Sequence, residues 1–165
     1  LHGDSNLITS IDSKFIKFSQ HVQPNEDMTA LLLKGHLLAE EILREMLYLN
    51  LKKPEALKGS QGTRFDFHQV VCLVEATSNI SESKNWIWSA SKKINKVRNT
   101  LAHNLEPDGL DHRLSDFIKI VESNSMDFMF IRERSKPSEF NPVKAALLAL
   151  CSELSYLSES LKNEA

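Results

Sequence analysis

The chain has 165 residues, 41% of them hydrophobic and 25% charged, which suffices for the core of one ordinary domain and is too apolar for general disorder. A formal net charge of −2 and a pI near 6.3 exclude a protein that holds nucleic acid by overall charge, so such a contact needs a local patch or a shaped site. No stretch reaches the apolar length of a membrane span and no charged-then-apolar leader stands at the start, so no membrane partner is expected. Five glycines and five prolines are few and favour long helices over a loop-rich β architecture. Cys72 and Cys151 lie among apolar neighbours without metal-ligand spacing, and read as small buried hydrophobes in a reducing, cytoplasmic compartment.

Residues 6–22 carry Leu7, Ile8, Ile11, Phe15 and Phe18 at spacings of three and four, the pattern of an amphipathic helix. A polar break at 23–27 offers Asp27 as N-cap for a second helix over about 28–51. That helix has one apolar stripe of Leu31, Gly35, Leu38, Ile42 and Leu49 and another of Leu33, Leu37 and Leu47, which predicts a central, buried element. Gly35 on the inner stripe predicts close approach by another helix. Lys52-Lys53-Pro54 stops the helix, and 57–63 reads as a loop.

A shorter helix over 65–76 places Phe67, Val70, Val71 and Val74 inside. After a polar connection at 79–85, a helix over about 86–105 carries Ile87, Ala90, Ile94, Val97, Leu101 and Leu105 in a three-four rhythm, ended by Glu106-Pro107-Asp108-Gly109. A further helix begins at Asp111 with Leu114, Phe117, Ile118 and Val121 inward. Residues 126–131 fit either continued helix or a short edge strand, and 135–142 a linker. The last helix, 143–161, buries Ala146, Leu147, Leu150, Leu154 and Leu157. With no repeat and no second-domain boundary, residues 1–165 read as a single all-α domain, a bundle of about five to six helices.

The chemistry-bearing segment runs from Ser91 to Asn104. At about 100° per residue, Val97 and Leu101 face the core while Lys92, Lys96, Asn99 and His103 share the opposite face, with Asn99 and His103 direct neighbours. Arg98 lies at the edge of the core stripe, about 140° round from His103, and depends on its length to reach the same site. These residue types suit cleavage of RNA by its own 2′-hydroxyl, which wants a base, an acid and positive charge on the phosphorane-like transition state. Histidine moves a proton near neutral pH, and arginine gives bidentate donors to phosphate. One set supplies a single histidine; two copies across a two-fold axis supply both acid and base.

Arg98-Asn99-Thr100-Leu101-Ala102-His103, at the end of a helix in a small all-α domain, resembles the motif of the HEPN family. That motif is an Arg followed after four to six residues by His, with Asn, Asp or His favoured directly after the Arg. The resemblance implies a metal-independent endoribonuclease without cofactor, its composite site built at a homodimer interface, of the kind found as toxins or antiphage effectors restrained by a protein antitoxin. It makes Arg98 the phosphate-binding group, His103 the proton-transfer residue and Asn99 the polar helper. It also makes Glu40 or Glu41 the acidic residue that holds Arg98 from the facing helix. Leu105 stands where the branch paired with nucleotidyltransferase antitoxins has tyrosine, so control through that tyrosine is not expected.

Plainer readings stand beside these. Asn99 and His103 suit the last turn of a solvated helix, where a cation favours the dipole. His36 and Glu40, four apart, are two ligands and do not make a metal site. Trp86 and Trp88 read as packing anchors before base-stacking groups, and His21, His68 and His112 have no companions in spacing. Lys92, Lys93 and Lys96 are the basic cluster nearest the motif, placed where an RNA backbone needs charge. The alternative from another class is a non-catalytic, repressor-like helical interaction or regulatory domain.

Overall fold

The computed structural model describes residues 18, 20–23, 25–57, 64–103 and 108–164, and among them every regular element is helical. The helices are α1 (Met28–Asn50), α2 (Phe67–Thr77), α3 (Trp86–His103), α4 (Leu110–Asn124), α5 (Met126–Arg134) and α6 (Pro142–Glu164). Short 3-10 turns at Pro54–Leu57 and Glu82–Lys84 lie in the connections. The fold is an all-α bundle, and no described helix is long and apolar enough to cross a membrane. The helix expected over 6–22 falls mostly outside the described residues, but Phe18 and Val22 at its end are buried in the core.

Local chemistry sets the helix starts. The Asp27 carboxylate accepts from the Thr29 and Ala30 amides, as its position before the apolar rhythm predicts. Asp66 and Gln69 form a reciprocal capping box at the start of α2, with the Gln69 amide 2.8 Å from Asp66 Oδ1 and the Asp66 amide 2.9 Å from Gln69 Oε1. Gly109, at φ 76°, takes the left-handed conformation that lets the chain turn directly into α4. Ser125 separates α4 from α5 and caps the latter, so 126–131 is helix and the edge-strand alternative is excluded.

α1 and α6 make the most extensive helix pair, and α3 against α4 the next. α1 also packs on α2 and α3, while α6 reaches α3, α4 and α5. α1 is thus central, as its sequence predicts, but of its second stripe only Leu47 points inward. Leu33 is 38% and Leu37 63% exposed, and the buried face is built instead from Leu31, Leu32, Gly35, His36, Ala39, Ile42, Leu43, Met46 and Leu47. A single contiguous stripe of this width follows from the 3.6-residue repeat when neighbours cover less than the full circumference. Trp86 and Trp88 are buried, which makes them packing residues and removes them as base-stacking groups. Cys151 is buried, and burial pushes its thiol up to about 12; Cys72 is half-buried rather than internal.

Gly35 carries the close approach that its sequence position predicts. A Cβ there meets Leu147 Cδ2 at 2.7 Å and Cγ at 3.1 Å, and Leu147 is itself only 1% exposed, with nowhere to retreat. The Cys151 thiol lies 3.8 Å from the Gly35 carbonyl on the same seam. Gly35→Ala therefore loses more by overpacking, about 1–3 kcal/mol, than the roughly 1 kcal/mol it gains in helix propensity. Denaturant titration is expected to give a net loss of stability of up to about 2 kcal/mol; a stabilised variant contradicts this account of the seam.

Candidate functional site

The C-terminal half of α3 turns Asn95, Arg98 and Asn99 into a cleft of about 470 Å³. The facing wall is α1, through His36, Glu40 and Arg44, and the end wall is the approach to α2, through Arg64, Phe65, Asp66, Phe67 and His68. The α1 contribution follows from helical geometry, since His36, Glu40 and Arg44 are each four residues apart and stack along one side. The α3 contribution has the same origin in Asn95 and Asn99.

His36 ties the three walls together. It is buried at 4% exposure, with Nε2 at 3.2 Å from Asn95 Oδ1 on α3 and Nδ1 at 4.0 Å from Glu40 Oε2 on its own helix. With the Asn95 oxygen as acceptor, Nε2 carries the proton. The imidazole lies against the Phe67 ring of α2, centroids 4.3 Å apart and planes tilted by 34°. Burial holds the His36 pKa below its ordinary 6.5, and the nearby Arg98 guanidinium adds to this. The Asn95 hydrogen bond and Glu40 oppose the shift, but burial is the larger cause, so the ring is neutral at neutral pH.

Three arginines face two carboxylates in the cleft, and both carboxylates have local work. Glu40 Oε1 accepts from Arg44 Nε at 3.0 Å and Nη2 at 2.6 Å, and Nη2 also donates to the Phe65 carbonyl at 2.9 Å. Asp66 caps α2, where its charge meets the positive end of the helix dipole. Arg64 and Arg98 have no carboxylate partner among the described residues, and Arg98 donates to Asn99 Oδ1 at 3.1 Å. The arrangement is a shaped anion site: permanent, planar cations beside amide groups, on a chain whose overall charge is negative. Among the described residues no three His, Cys, Asp or Glu side chains stand close enough together to hold a metal ion.

The motif residues divide. Arg98, Asn99 and Glu40 converge on the cleft. His103 is exposed in the last turn of α3, outside the cleft lining. Glu41 lies on another side of α1, in an apolar depression with Phe18, Leu37 and Leu38, so of the two acidic candidates Glu40 alone reaches the cleft, where it engages Arg44. Lys92 pairs with Glu75 of α2 at 2.6 Å, and Lys96 faces a groove towards α4. Sequence reasoning missed Arg44, Arg64, Asn95 and His68 as cleft residues. The four-residue spacing of Glu40 with Arg44 and of Asn95 with Asn99 was a usable signal, whereas Arg64 and His68 arrive through tertiary packing alone. Compared with protein-family models, curated proteins and solved structures, the chain matches none.

The lowered pKa of His36 links the cleft to stability. The unfolded chain binds the proton more readily, so the contribution of neutral His36 is fully present above about pH 6.5 and is lost as pH falls through the folded value. Thermal melts at stepped pH are expected to show the melting temperature dropping below pH 6.5, with a shallower drop in His36→Gln. Equal slopes in the two proteins contradict the assignment.

Proposed function

We propose that the chain is an endoribonuclease of HEPN type that cleaves RNA without a metal ion and works as a homodimer. The observation that carries this reading is the meeting of Arg98 and Asn99 with Arg64 and Arg44 in one net-positive cleft. In it, Arg98 takes the scissile phosphate by paired N–H donors and stabilises the charge that grows on its oxygens. The 2′-oxygen forms a bond to phosphorus, the bond to the 5′-oxygen breaks, and the products end in a 2′,3′-cyclic phosphate and a 5′-hydroxyl. One proton leaves the 2′-hydroxyl and one reaches the departing oxygen, the task assigned to His103. His103 lies outside the cleft of its own chain, which is the arrangement a second copy completes by presenting its own α3 end across a two-fold axis. Uncontrolled cleavage of cellular RNA harms its host, so a toxin or antiphage role with a protein antitoxin in the cytoplasm belongs to the same proposal.

The same position of His103 favours a second reading, a non-catalytic binding module that uses the cleft only to hold an anion. One experiment separates them. Purified protein is incubated with mixed RNA in EDTA, and the product ends are analysed. The ribonuclease reading expects cleavage leaving 2′,3′-cyclic phosphates, reduced about 10²–10⁴-fold in His103→Ala and about 10²–10³-fold in Arg98→Ala. RNA binding without cleavage, with His103→Ala indistinguishable from wild type, selects the binding module.

A further inference from the structure

α3 presents cations on two of its sides. Beside the motif cleft, on the next side of α3, a groove of about 370 Å³ between α3 and α4 is lined by Lys93, Lys96, Arg113 and Asp116. Three permanent cations face one carboxylate there. Asp116 is engaged by Lys93, with Nζ to Oδ2 at 3.3 Å, and lies 3.8 Å from His112 Nε2. The Lys93 hydrogen bond is the main cause holding the Asp116 carboxyl below its ordinary range, with Lys93, His112 and Lys119 adding through their charge. Lys96 has no carboxylate partner among the described residues.

Arg113 is not a loose surface side chain. Its Nη1 donates to Thr100 Oγ1 at 2.5 Å, and that hydroxyl, buried on α3, donates in turn to the Lys96 carbonyl at 2.9 Å. This contact uses one of the five N–H donors of the guanidinium and ties the exposed Arg113 side chain to the groove wall. Among the described residues, two unit charges, Lys96 and Arg113, thus line the groove without an acidic partner. Lys96 precedes Arg98 by two residues and Asn99 by three, so the linings of the two surfaces are offset along the α3 axis by only about 3–4.5 Å of helix rise.

We propose that the α3–α4 groove is a second phosphate-binding surface, which continues the path of a single RNA strand from the motif cleft across the C-terminal half of α3. This rests on the ribonuclease reading for the identity of the polyanion. A strand carries its charges in series, and two cationic surfaces flanking the exposed Lys96–Asn99 face of α3 fit successive phosphates better than one small ion. The groove gives the enzyme hold on the RNA outside the reacting phosphodiester, where Lys96 and Arg113 supply charge and no chemistry.

The test is fluorescence anisotropy with a labelled single-stranded oligoribonucleotide whose 2′-oxygens are methylated, so that the attacking hydroxyl is absent and binding is read without cleavage. Affinity is measured against salt concentration for wild type, Lys96→Ala and Lys96→Ala/Arg113→Ala. Loss of one phosphate contact lowers the slope of log affinity on log salt by about 0.7 on a single strand, so falls of about 0.7 and 1.4 are expected. Lys96 is exposed, and the single variant keeps the test valid should the double variant fold poorly. Slopes equal to wild type overturn the groove, and cleavage of RNA by the same wild-type preparation then leaves the ribonuclease reading standing. A groove-dependent slope in a protein that never cuts RNA supports the groove and sinks the ribonuclease reading. Failure of wild type to bind the oligomer, including the case where it binds poly-glutamate instead, overturns the proposal.

Discussion

The close seating of α6 on α1 at Gly35 is the contact on which the site depends. With hydrogen in place of a side chain, the α1 backbone meets Leu147 directly, and the seam continues through Cys151. His36 is the next residue, about 100° further round the helix. One side of α1 is committed to α6, so the imidazole faces α3 and α2, where Asn95 and Phe67 receive it. The cleft lies between α1, α2 and α3, next to the side of α1 on which Gly35 seats Leu147 of α6.

Charge is organised on the same scaffold. The chain is slightly acidic overall, yet its carboxylates near α3 are largely occupied: Glu40 with Arg44, Asp66 with the start of α2, Glu75 with Lys92 and Asp116 with Lys93. Among the described residues, Arg98 and Arg64 at the cleft and Lys96 and Arg113 at the groove stand without an acidic partner. Exposed ion pairs contribute little to stability. Their larger consequence here is local, because each pairing decides which cation keeps its field for a ligand. A net charge near zero is thus compatible with a strongly polarised helix.

Different parts of this organisation were legible to different degrees. The three-four rhythm located Ile87, Ala90, Ile94 and Val97 of α3 and the inner stripe of α6 in the core, with Leu101 partly buried and Leu105 outside the described residues, because a helix buried along one stripe writes that stripe into its sequence. Asp27 and Gly35 were readable for the same reason, since a cap and a close approach each demand a particular residue type locally. Leu33 and Leu37 misled: an apolar side chain on a helix does not say whether a neighbour covers it. Arg98 and Asn99 stood out through their motif, whereas Arg64 and His68 carried no signal, being brought to the cleft by the path of the chain into α2.

The sequence by itself determined the helical class, most helix positions, the inward stripe of α6 and the motif on α3, because these depend on backbone preference and on periodicity within a few turns. Tertiary structure decided which motif residues share a space. It joined Arg98 and Asn99 to His36 and Glu40, left His103 outside, sent Lys96 towards α4 and turned Glu41 away. Helical spacing fixes which side chains lie on one face of one helix. What that face meets is set by the packing of other helices, and those contacts join residues far apart in the chain, such as His36 and Asn95.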